Sequence, residues 1–218
     1  MNYFIALIST IYFKALEVLS EYNDILKEIK GLGYIEAVDY LKINLLSVWI
    51  KAYKLNNRNV SCICQIKLND FEYVYDDIES LDSEKIPPVA ESRLVVVFGE
   101  SKRREVRRDD YRLQGWLGQT ETVFGKEWDK GHFIGHSIGG AIDGAELNVF
   151  QQRRDINRGW SEEGKIFRKM EKYCGQNEGI FCFNRPFYSN QGSKPSKYEF
   201  GVLLRDKTLW VETFNNEL

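Results

Sequence analysis

The sequence predicts an α+β fold, on three observations. Apolar residues recur at helical spacing through two runs in the first 55 residues. From Val60 the pattern turns to short β-rich strings, and three more such strings close the chain after one further helical stretch. With 218 residues, 43% of them apolar and 28% charged, there is material for one well-cored domain plus a helical extension.

Phe4, Ile8, Ile11, Ala15, Tyr22, Leu26 and Ile29 share a helical period over residues 3–30. Gly31-Leu32-Gly33 breaks it, and a second periodic run over 34–55 ends at the polar cluster Asn56-Asn57-Arg58-Asn59. The pair reads as a helical hairpin that either packs on the β-rich domain after it or forms a homodimer. "SCICQIKL" (61–68) and "FEYVYDD" (71–77) read as strands, with Cys62 and Cys64 as small core side chains. Segment 79–92, acidic and carrying Pro87-Pro88, reads as a loop, and "RLVVVFGE" (93–100) as a buried strand. "SKRREVRRDDYRLQGW" (101–116) is dense in arginine and reads either as a self-paired charge run or as a phosphate-facing strip. Asp155–Cys174 reads as one helix with Ile156, Trp160, Phe167 and Met170 as its apolar contacts. "GIFCFNRPFY", "KYEFGVLL" and "TLWVETF" are the closing strands, the last two joined as a hairpin.

Net charge is −2, so overall charge gives no sign of a nucleic-acid binder. The balance is uneven: residues 1–100 carry 10 Lys+Arg against 15 Asp+Glu, and residues 101–218 carry 20 against 17. Cys174 and Cys182 have no zinc-like spacing; a disulfide between them is open. The apolar start is interrupted by Lys14 and Glu17 and lacks a basic leader, so no signal peptide, membrane span or membrane partner is expected. The expected location is the cytoplasm, or outside the cell by a signal-independent route.

The two histidines, His132 and His136, both lie in "EWDKGHFIGHSIGG" (127–140). Four glycines argue against a helix there, and no third ligand suggests zinc. His136 reads as an ordinary hydrogen-bonded residue. A histidine that titrates near neutrality can take a proton from water, and an asparagine oxygen suits Mg²⁺, which prefers oxygen and retains water.

Asp129-Lys130-Gly131-His132, with Asn148-x-x-Gln151-Gln152 and Asn157-Arg158-Gly159-Trp160 downstream, resembles the DNA/RNA non-specific endonucleases, a ββα-metal nuclease family. The usual pattern is Asp-Arg-Gly-His, then Asn-x-x-Pro-Gln, then a second Asn opening Asn-Gln-Gly-x-Trp. Asp155 matches an Asp often found two residues before the metal-binding Asn. The resemblance covers roughly residues 93–214. Lys130 stands for the usual Arg and Gln151 for the proline, Trp160 comes one residue early, and Lys165 stands where the family has Glu. Glu162 or Glu163 would replace that Glu from one turn earlier.

The resemblance implies a ββα-metal nuclease core with an antiparallel sheet over 59–218, preceded by a helical extension over 1–58 that packs, oligomerises or regulates. It implies a Mg²⁺-dependent, sugar-non-specific endonuclease leaving 5′-phosphate ends, with Mn²⁺ as the alternative metal. His132 would be the general base and Asn157 the metal ligand. Lys130, Arg153, Arg154 and Arg158 would contact phosphates; surface pairing with Glu162 or Glu163 is the other reading of the three arginines. Asp129 would orient the site, Asn148 would hold the loop, and Glu163 would support the metal. DNA or RNA is the substrate expected, and an immunity or inhibitor protein is a further expected partner. The alternative is a nuclease fold that binds nucleic acid without cutting it.

Overall fold

The structure is a computed structural model; it describes residues 22–57, 60–77, 92–103, 125–141, 145–190 and 192–218. Residues 22–28 are helical (α1) and tighten into a 3-10 turn at Ile29–Gly31. The expected helix over 3–21, the loop over 79–91 and the arginine-rich run beyond Arg103 lie outside the described residues.

After Gly33 the chain enters α2 (Tyr34–Asn56), where Glu36 Oε2 accepts from Gly33 N–H at 2.8 Å and satisfies one of the open donors of the first turn. Ala37, Val38, Leu41, Leu45, Trp49 and Tyr53 recur every three or four residues and form its buried face. The later strands and helices are β1 (Ile63–Leu68), β2 (Phe71–Asp76), β3 (Arg93–Glu100), β4 (Trp128–His132), β5 (Val149–Arg153), α3 (Arg154–Asn157), α4 (Glu162–Gln176), β6 (Phe181–Phe187), β7 (Lys197–Leu203) and β8 (Leu209–Asn215).

Six strands make one antiparallel sheet in the order β1-β2-β3-β6-β7-β8, and β4 pairs with β5 in a separate two-stranded ribbon. The architecture is thus mixed helix and antiparallel sheet, α+β. Two hydrophobic clusters lie on the sheet. In one, α2 packs on Val74, Val96, Phe98, Phe181 and Phe183, with the Trp49 ring 4.8 Å from that of Phe183. In the other, Phe133 and Phe150 from the ribbon and Phe167 and Met170 from α4 meet Tyr198, Phe200 and Phe214. Phe133 stacks on Phe150 at 4.1 Å, and Phe150 meets the Tyr198 ring edge-on at 5.2 Å. Those aromatic contacts dock the ribbon on the sheet. Among the described residues, no helix is long and apolar enough to cross a membrane.

Two expectations need correction. The helix expected over 155–174 is broken: α3 is a single turn, Gly159 takes φ +74°, and Ser161 starts α4 by accepting from Gly164 N–H at 3.0 Å. Because of that break Trp160 is 63% exposed rather than an apolar contact, while Ile156, Phe167 and Met170 are buried. Cys62 and Cys64 are not core residues either; Cys62 is exposed and Cys64 half-buried, because β1 is an edge strand. Cys174 and Cys182 are buried, neighbouring free thiols.

Gly164 sits where α4 crosses α3. A Cβ there would lie 2.5 Å from the Asp155 carbonyl oxygen and 3.0 Å from two backbone Cα atoms. Gly175, in the last turn of α4, would meet only an ordinary 3.5 Å contact with Ile138. Gly164→Ala should therefore destabilise by about 2 kcal/mol. Gly175→Ala should stabilise by up to ~1 kcal/mol. Urea unfolding midpoints of the two variants check both signs.

Candidate functional site

The ribbon register pairs Trp128 with Arg153, Asp129 with Gln152, Lys130 with Gln151, Gly131 with Phe150 and His132 with Val149. His132 therefore ends β4, half-buried, directly before the loop that returns to Val149. That loop is closed by Asn148, which is fully buried. Its Oδ1 accepts from Ile134 N–H at 3.0 Å, and its Nδ2 donates to the carbonyls of Ile134 and Ala141 at 3.0 and 2.9 Å. Gly140 lies against this clamp: a Cβ there would overlap the Ile134 carbonyl oxygen. Asn184 Nδ2 donates to the Phe133 carbonyl at 2.9 Å, tying the residue after His132 to the sheet.

Gly131 makes room for Gln152. A Cβ at Gly131 would overlap Gln152 Oε1, and Gln152 Nε2 donates to the Tyr198 hydroxyl at 2.5 Å. The Gly-His step in the strand thus lets a buried glutamine cross beneath it and join β5 to the sheet.

Asp129 connects β4 to the helical turn. It accepts from Arg154 Nε at 3.0 Å, from Arg158 Nε and Nη2 at 2.7 and 3.0 Å, and from Asn157 Nδ2 at 3.1 Å. Burial opposes its charge, but the hydrogen bonds from Arg158 and Asn157 and the charges beside it hold the carboxyl below the ordinary carboxylate range. Arg154 Nη2 also donates to the Trp128 carbonyl at 3.0 Å. With its Nδ2 on Asp129, Asn157 presents Oδ1 the other way. Among the described residues no hydrogen-bond donor reaches that oxygen.

Arg153 is held between carboxylates. Its Nη2 meets Asp155 at 2.6 Å and its Nη1 meets Glu163 at 3.2 Å and the Asn215 carbonyl at 3.0 Å. Burial raises the Asp155 pKa, yet the Arg153 and Ser161 hydrogen bonds outweigh it and the net shift is down. Glu163 faces Arg153 and β8; its Oε1 also accepts from Asn215 N–H at 3.4 Å. Glu162 pairs with Lys165 at the surface. Lys130 is half-buried, and burial lowers its pKa. The Arg158 guanidinium lies over the exposed Trp160 ring at 5.1 Å.

The structure therefore gathers Asp129, Asn157, Arg154 and Arg158 by direct contact, with His132 three residues along the same strand as Asp129. Arg153 and Glu163 form a neighbouring cluster that fastens α4 to β8. One supporting residue had no signal in the sequence. Asn216, fully buried near the chain end, accepts from Arg153 N–H at 2.9 Å and donates to the Gln151 and Pro195 carbonyls. Nothing in a terminal "FNNEL" marks it. Among the described residues no three His, Cys, Asp or Glu side chains gather as a ready-made metal cage.

No family model matches the chain, and no curated protein sequence matches it. A solved structure of Sda1 nuclease with bound zinc ion is similar over 77% of this chain and 81% of that chain, at 17% identity and a TM-score of 0.36. A likeness that loose assigns neither fold nor chemistry.

Asp129→Asn should cost about 2 kcal/mol at pH 7, since it removes the charge from several charge-assisted hydrogen bonds. The native pKa is lowered, so this contribution is present above the unfolded value of about 4 and is lost as pH falls through the native value. The stability gap between the wild type and Asp129→Asn should stay level from pH 8 to about pH 5 and close on further acidification. Denaturant midpoints across that range measure it.

Proposed function

We propose that the chain is a metal-dependent endonuclease that hydrolyses phosphodiester bonds in DNA or RNA, with a ββα-metal core made of β4, β5 and α3. The observation that carries this reading is the Asp129 junction. It fixes the turn bearing Asn157 to the strand bearing His132, and it engages the Asn157 amide through its nitrogen, which leaves the amide oxygen as the donor for a cation. The resemblance of Asp129-Lys130-Gly131-His132 and Asn157 to the nuclease motif supports the same roles.

His132 takes a proton from water as the water oxygen attacks phosphorus; the bond from phosphorus to the 3′ oxygen breaks, and that oxygen leaves and takes up a proton from water. Asn157 Oδ1 is a neutral, hard oxygen donor of the kind Mg²⁺ or Mn²⁺ accepts, with water and phosphate oxygens filling the remaining positions. When bound, that cation offsets the charge that develops on the phosphate. Lys130, Arg154 and Arg158 supply positive charge beside the phosphate path; Asp129 holds the two arginines in place and neutralises part of their charge. Arg153 acts as a brace between Asp155 and Glu163 rather than as a phosphate contact. Contacts of this kind read phosphate and sugar, so cleavage has little sequence preference. Residues 1–58 form an extension to the catalytic unit of 59–218 in this reading.

Incubation of the chain with supercoiled plasmid and with total RNA should give degradation in Mg²⁺ and none in EDTA. His132→Ala should lower the rate by about 10²–10⁴-fold without unfolding the protein. Full activity in that variant, or in EDTA, would remove the assignment.

A further inference from the structure

Cys62 and Cys64 take no part in the proposed cleavage, yet their arrangement is specific. Their sulfur atoms stand 3.6 Å apart, one thiol exposed and the other half-buried. Residues two apart on an extended chain share one face, and β1 is the edge of the sheet, so both thiols open to solvent on the same side. The backbone beneath them is fixed. Asp76, fully buried, accepts from Ser61 and Cys62 N–H at 2.9 and 3.1 Å and from the Tyr53 hydroxyl at 3.0 Å. Asp77 N–H donates to the Cys62 carbonyl at 2.8 Å.

Two chemistries suit such a dithiol, a disulfide or a shared soft cation, and the geometry separates them. Cα atoms two residues apart on a strand are about 6.6 Å apart. That is the far end of the range a disulfide spans without strain. A cation asks for no such movement. With thiolate–metal bonds of about 2.3 Å, sulfurs 3.6 Å apart subtend roughly 100° at the metal, near the tetrahedral angle.

We propose that Cys62 and Cys64 chelate one thiophilic divalent cation of the zinc and cadmium class at the sheet edge. Binding forms two sulfur–metal bonds and releases the two thiol protons to solvent. Two protein donors leave room for water in the shell of a four-coordinate ion, so the ion is exchangeable. The donors are soft sulfur, unlike the oxygen of Asn157, so the two positions select different metals.

Titration of the reduced full chain with Cd²⁺ alone, monitored through the ultraviolet thiolate-to-cadmium charge-transfer band, tests this. The band should saturate at one Cd²⁺ per chain and be reversed by excess Zn²⁺. Cys62→Ser and Cys64→Ser, both at accessible positions, should each weaken binding at least about tenfold, since even outer-shell partners are worth 10–100-fold. Cys174→Ser should leave the band in place, and so should His132→Ala and Asn157→Ala, which separates this site from the proposed nuclease centre. A missing band, or one that survives in both Cys62→Ser and Cys64→Ser, would overturn the proposal. So would conversion of the pair to a disulfide by oxidised glutathione in preference to binding Cd²⁺.

Discussion

One carboxylate sets the geometry of the turn that carries Asn157. Asp129 sits on β4, is almost fully buried, and receives donors from Arg154, Asn157 and Arg158. A buried carboxylate is costly unless its oxygens are satisfied, and a four-residue helix has too few internal bonds to hold its own shape. Each need answers the other. The charge is stabilised by the turn, and the turn is held in place by the charge. The orientation of the Asn157 amide is a consequence, because its nitrogen must face the carboxylate.

The surroundings protect that junction at three places. Asn148 closes the loop after His132 with three hydrogen bonds, replacing the ladder the ribbon lacks there. Gln152 ties the ribbon to Tyr198, and only a glycine at 131 leaves it room. Arg153, Asp155 and Glu163 fasten the start of α4 to β8. Asn148 and Gln152 are fully buried, so loss of either leaves partners without water or protein to bond, whereas Asp155 and Glu163 stay partly open to solvent.

Much of this was legible in the sequence. Helical spacing located α2, and the β-rich strings located β1, β2, β3, β6, β7 and β8, because one-sided burial writes its period into the chain. His132 and Asn157 enter only as candidates, through glycine-rich context and motif spacing. Other features were not legible. The break between α3 and α4 depends on Gly159 at positive φ and on Gly164 touching α3, a contact between elements that a periodic pattern over 155–174 conceals. Cys62 and Cys64 looked like core residues because an apolar string reads the same on an edge strand as on a central one. Asn216 acts entirely through long-range hydrogen bonds, which leave no local pattern.

If Asp129 couples His132 and Asn157 into one catalytic unit, their losses cannot be independent. The most direct measurement is the cleavage rate of His132→Ala, Asn157→Ala and the double variant on one DNA substrate in Mg²⁺. The double variant should be no slower than the slower single variant, as for residues that act in the same step. Rate losses that multiply in the double variant, or wild-type cleavage by either single variant, would contradict a shared site.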